Sequence, residues 1–191
     1  MQDRSASAPG TRAMPSTPDR LCTHPDGEPT LASELAVLPH EGEDALPIVS
    51  WLPGTTVYRG DAASVSVERA DRMIAFAIAS AGYAVSAPDD LGLGLGPDRC
   101  PYDHVPSTVT ASVDALCVTR AVDVQEQRHL DDRVLVSGFS QGGPAIMTLG
   151  QARRSTMDGA FRPGALAQIS GPCVFTGSLQ SGLGGDIAST P

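Results

Sequence analysis

The chain has 191 residues, 41% of them hydrophobic and 18% charged, which suits one domain with a sizeable core. Its formal net charge of −9 makes nucleic acid and anionic membranes poor partners. No apolar run approaches the roughly 20 residues of a membrane span, and no basic region followed by an apolar core marks a signal peptide.

Residues 1–30 are rich in Pro, Ser, Thr, Asp and Gly without hydrophobic period and read as a flexible leader. Leu35–Pro39 is a candidate first strand, and His40 to Asp44 reads as a solvated acidic turn. Pro47–Leu52 is a stronger strand, broken by Pro53-Gly54-Thr55-Thr56. From Ser66 to Ala81, Met73, Ile74, Ala77 and Ile78 recur at helical spacing, with Gly82 as C-cap. Tyr83–Pro88 is the next strand, followed by a Gly-rich loop to Pro97. A helix from about Ser107 to Gln127, capped by Ser107, has Val109, Val113, Leu116, Val118 and Val122 to bury.

Val134, Leu135 and Val136 then form a short apolar run, as expected of a strand buried on both faces. Gly138-Phe139-Ser140-Gln141-Gly142 follows, fitting the G-x-S-x-G pattern, and an apolar helix continues to about Arg153. A serine raised on a strained strand-to-helix turn needs bare neighbours two residues to either side, which explains the glycines. The last strand is Ala165–Ile169, and beyond Ser170 the chain is rich in Gly, Ser and Thr. Strand and helix alternate from residue 47 to 170, implying an α/β fold with a mostly parallel sheet and helices on both faces. The core is read as residues 31–176 and the tail as 177–191.

An acyl-transfer site needs a nucleophile, a base, an orienting acid and an oxyanion hole. Ser140 is the nucleophile candidate, the Gln141 N–H one oxyanion donor, and Thr55, after Gly54, the other. Thr55, Asp89 and Ser140 all follow strand ends, so they are expected at one rim of the sheet. No motif asks for a cofactor. Cys22, Cys100, Cys117 and Cys173 form no C-x-x-C pair and read as buried or free thiols, not a metal site. Gly92-Leu93-Gly94-Leu95-Gly96 lacks the Lys-Ser/Thr of a phosphate-binding loop.

Four segments in the same order resemble bacterial α/β-hydrolases related to secretory lipases. They are Pro47 to Thr56, Gly82 to Gly94, Cys100 to His104 and Ser137 to Gly143. The resemblance implies an esterase or lipase acting on small-molecule esters or lipids through an acyl-enzyme. This chain departs from the pattern at Pro53, where relatives usually have His, and at Asp90, where they usually have an aromatic residue. All four histidines precede Ser140, whereas triad order in this fold is Ser, then acid, then His. Asp186, in the Gly-rich tail, is a weak acid candidate. His104 reads as a surface or structural histidine, with a substitute base as the alternative. Family members are longer, with further strands carrying acid and His, so the chain reads as the N-terminal part of the domain and as catalytically impaired by itself. The strand at Ala165–Ile169 is then expected to be a bare apolar edge open to self-association. A non-catalytic relative that binds an apolar or acyl ligand over the same rim is the competing reading.

Overall fold

A computed structural model describes residues 11–16, 22–39, 45–125, 129–152 and 161–171. In chain order the elements are β1 (Thr11–Ser16), β2 (Cys22–Thr23), β3 (Pro29–Thr30), β4 (Glu34–Pro39), β5 (Leu46–Leu52), α1 (Ala70–Ser80), β6 (Ala84–Pro88), α2 (Val105–Gln125), β7 (Leu130–Phe139), α3 (Gly142–Ala152) and β8 (Arg162–Ile169). Among the described residues, six strands make one sheet in the order β1-β4-β6-β5-β7-β8, and β2 pairs with β3 alone. The pairings β6–β5, β5–β7 and β7–β8 are parallel, while β1–β4 and β4–β6 are antiparallel. The sheet is therefore mixed and mostly parallel, with its crossovers made by helices.

The core has two layers set by the alternation of side chains along each strand. Leu46, Ile48, Leu52, Val134 and Val136 point to one face and pack under Leu116 of α2 and Ile146 and Leu149 of α3. Leu35, Val37, Trp51 and Val85 point to the other and pack under Ala75 and Ala79 of α1. Fully burying one such Leu or Ile contributes about 2 kcal/mol. The helices on both faces match the sequence reading.

Four expectations are corrected. β1, β2 and β3 lie within residues 1–30, where a leader without regular structure is expected. Their order comes from backbone ladders, β1 with β4 and β2 with β3, which leave no hydrophobic period in the sequence. The first helix starts at Ala70, not Ser66, because Arg69 is extended (φ −70°, ψ 135°) and stops the helical run. Ser107 does not cap α2, which begins two residues earlier. Its hydroxyl instead donates to the His104 carbonyl oxygen at 2.9 Å. Finally, β7 is covered fully on one face only. Val134 and Val136 are completely buried, but Leu135 borders an apolar groove of about 310 Å³ shared with Val49, Ile78, Tyr83, Ala165 and Ala167. α1 covers the β4–β6 half of that face, and among the described residues nothing covers the β7–β8 half.

Candidate active site at the carboxyl ends of β5 and β7

β5 and β7 run side by side with Leu52 opposite Gly138, so the loop after β5 and the turn after β7 leave the sheet together. That turn holds Ser140 at φ 49°, in the left-handed region that a side-chain-bearing residue enters only under constraint. Two hydrogen bonds hold it there. The Ser140 N–H donates to the Ile169 carbonyl of β8, and the Gly143 N–H donates to the Ser140 carbonyl, both at 2.9 Å. The flanking glycines are required by close approach. A methyl on Gly142 would lie 2.6 Å from the Leu52 carbonyl oxygen, and one on Gly138 would lie 2.8 Å from the same atom.

The loop after β5 presses on this turn. A methyl on Gly54 would lie 2.7 Å from the Phe139 ring, so the residue before Thr55 contacts the residue before Ser140. Thr55 is exposed, and Ser140 and Gln141 are half-buried. The Ser140 N–H is committed to β8, the Gln141 amide stands just ahead of α3, and the Thr55 amide lies in the loop after β5. Two N–H groups at the start of a helix and a glycine loop are suited to stabilising a developing negative charge.

From Thr55 an open cleft of about 690 Å³ extends between Val57, Tyr58, Leu93, Cys100 and Tyr102. Its far wall is the loop after β6. Arg59 donates to the carbonyls of Gly92, Gly96 and Asp98 and pins that loop. Gly92 (φ 74°) and Gly94 (φ 56°) serve this packing: a methyl on Gly92 would meet the Arg99–Cys100 peptide, and one on Gly94 would meet Asp89 and Ser33. Their role is close backbone contact. Asp89 accepts from the Ser33 hydroxyl at 2.6 Å and the Ser64 N–H at 3.1 Å, and burial pushes its carboxyl upward. Asp90 is buried at φ 66° with Oδ1 unpaired. Burial pushes its carboxyl from 3.8 to about 7; the Thr108 hydrogen bond opposes this, and the Asp89 and Asp71 charges add to it.

The remaining candidates do not converge on Ser140. His104 sits ahead of α2, where its Nδ1 accepts from the Ser107 N–H at 3.3 Å. His24 pairs with Asp26 in the β2–β3 hairpin at 2.8 Å. The His129 carbonyl accepts from Leu46 at the foot of β7, the opposite end from the turn. Among the described residues no histidine bonds to the Ser140 hydroxyl. Asp186, His40, Asp158 and Cys173 lie outside the described residues. Cys22 and Cys100 are free thiols, and burial beside Asp114 pushes the Cys22 thiol up to about 12.

Sequence reasoning missed one part of this region. Trp51 Nε1 donates to Asp71 Oδ1 at 3.0 Å, and Arg69 bridges Asp71 to the Thr55 carbonyl oxygen and the Thr56 hydroxyl. The only available signal was an acidic residue in the first turn of a helix, which ordinarily reads as a cap.

No family model matches the chain, and no curated protein matches it. Solved structures do. The rice cell wall degrading esterase LipA from Xanthomonas oryzae is 28% identical with a TM-score of 0.74, over 93% of this chain and 47% of that one. A protein of Legionella pneumophila subsp. pneumophila str. Philadelphia 1, assigned as a hydrolase, is 26% identical with a TM-score of 0.73, over 85% of this chain and 43% of its own. Esterase Est22, at 20% identity and a TM-score of 0.57, shares the fold. The chain thus spans less than half the length of the structures it matches.

Proposed function

We propose that this chain, an α/β-hydrolase-like relative of esterases of known structure, carries the nucleophile and oxyanion donors of a serine esterase that cleaves carboxylic esters. The observation that supports this best is the left-handed Ser140, held between two bare glycines against the loop that bears Thr55. In this reading Ser140 Oγ attacks the ester carbonyl carbon while its proton passes to a general base. The carbonyl oxygen takes the negative charge opposite the Gln141 and Thr55 N–H groups. Collapse expels the alcohol, which takes up the proton, and leaves an acyl ester on Ser140 that water then cleaves. The apolar cleft from Thr55 to Tyr102 suits a small-molecule or lipid ester with an apolar group.

No histidine follows Ser140, and none of the described ones reaches its hydroxyl. We therefore expect slow turnover from this 191-residue chain by itself, because without a base the hydroxyl keeps an ordinary alcohol pKa. The same observation favours a second reading, a relative that binds an apolar or acyl ligand in the cleft without cleaving it. Short-chain p-nitrophenyl ester hydrolysis by the chain and by Ser140→Ala separates the two. A rate above buffer that the substitution abolishes supports the esterase. Equal rates, together with ligand-induced thermal stabilisation, support the binding module.

A further inference from the structure

We infer that Arg69, anchored by Asp71 and Trp51, is a positioning residue that holds the Thr55 loop in the geometry of an oxyanion donor; this rests on the esterase reading above. Arg69 is the residue ahead of α1, and its extended backbone turns the side chain away from the helix and toward the loop after β5. Its Nη2 donates to the Thr55 carbonyl oxygen and to the Thr56 hydroxyl, both at 3.0 Å. Its Nε donates to Asp71 Oδ2 at 3.3 Å, and the other oxygen of that carboxylate accepts from Trp51 Nε1 at 3.0 Å. Asp71 is only 5% exposed and Trp51 3%, so the anchor is set in the core between α1 and β5 while the guanidinium reaches the rim.

Pro53, Gly54 and Thr56 are also buried, with Gly54 packed against the Phe139 ring, but few other polar contacts fix the loop. Thr55 itself is exposed, and among the described residues the one other side-chain bond within the loop is that of the Thr56 hydroxyl to the Gly54 carbonyl at 3.3 Å. Pro53 has no N–H, and Gly54 adds the backbone freedom that its contact with Phe139 demands. The Thr56 hydroxyl that Arg69 holds donates in turn to the Gly54 carbonyl oxygen at 3.3 Å, and that carbonyl shares a rigid peptide plane with the Thr55 N–H, so the clamp on both sides of Thr55 sets where that N–H points. A planar fork holding a carboxylate on one side and a carbonyl and a hydroxyl on the other is a task for arginine, since a lysine ammonium cannot span both. Donors preset in this way act at the transition state and contribute little to substrate binding.

The experiment compares the chain with Arg69→Met and Arg69→Lys. Two quantities are measured: the rate of Ser140 modification by a p-nitrophenyl alkylphosphonate, followed by intact mass, and hydrogen exchange of the peptide carrying residues 54–57. Because Trp51 is the single tryptophan, its emission reports whether the Asp71 anchor survives in each variant. The expected result is at least a tenfold slower phosphonylation in Arg69→Met, a partial loss in Arg69→Lys, and faster exchange of the loop, with Trp51 emission unchanged. Phosphonylation within twofold of the parent in Arg69→Met would overturn the inference. If the parent chain itself fails to react at Ser140, the esterase reading fails separately, and loop exchange then decides: exchange unaltered in Arg69→Met also overturns the clamp.

Discussion

Leu52 lies directly opposite Gly138 across the parallel β5–β7 pair, and its carbonyl oxygen occupies the space that a methyl on Gly138 or on Gly142 would need. Because that oxygen belongs to backbone, it cannot swing aside. Gly142→Ala is expected to destabilise the fold by about 1–3 kcal/mol, as overpacking of a tight contact does. Urea midpoints measure it, and a loss too small to resolve would mean that β5 and the turn are not in close contact.

The backbone of Ser140 works against stability. Ser140 sits at φ 49°, where a Cβ costs about 1–2 kcal/mol and glycine pays nothing. Ser140→Gly is therefore expected to be more stable than Ser140→Ala by about 1 kcal/mol, though neither can form an acyl-enzyme. Thermal unfolding of the pair tests this. Equal melting temperatures would argue for a relaxed turn.

Asp90 gives the fold a pH dependence of defined sign. Its carboxyl is raised from 3.8 to about 7 by burial, so the folded state keeps the proton when the unfolded chain has released it. Stability from this group is full at acid pH, falls as pH rises from about 4 to about 7, and stays low above that. Asp89, also raised by burial, contributes with the same sign. Asp90→Asn should accordingly flatten the decline without removing it and stabilise the protein at alkaline pH. A melting profile over pH that is unchanged by the substitution would rule out Asp90 as the source.

Most of the site's frame was legible from residue order. Gly138 and Gly142 two positions either side of Ser140, between an apolar strand and an apolar helix, have few other structural meanings. Pro53-Gly54 marked the companion loop in the same way. What escaped notice depends on contacts remote in sequence. Trp51 and Asp71 are twenty positions apart, and nothing local to either foretells their bond. β1 escaped because a backbone ladder needs no apolar pattern, and the start of α1 was misjudged because a turn can carry helical spacing. Leu135 looked buried by composition, yet burial requires a covering layer, and a strand's own letters do not reveal one.

β8 offers a further test. It is the last strand of the sheet among the described residues, with Ala165, Leu166, Ala167 and Ile169 exposed, and its stretch from Gly164 to Ile169 carries no charge. Such an edge is expected to favour association of the chain with itself at high concentration, against the repulsion of its net charge of −9. Ala165→Lys places a charge beside the apolar groove and should lower the average mass in light scattering while leaving the melting temperature nearly unchanged. Identical masses for the two proteins would exclude this edge as the contact.

The bond from the Ser140 N–H to the Ile169 carbonyl joins that residue's backbone to β8, the strand at one end of the sheet among the described residues. Fraying of β8 would release that amide, and with it one of the two restraints on the left-handed turn. The geometry of Ser140 is thus geared to how well the far margin of the sheet is covered, and any polypeptide that zips onto β8 would stiffen that turn without touching it.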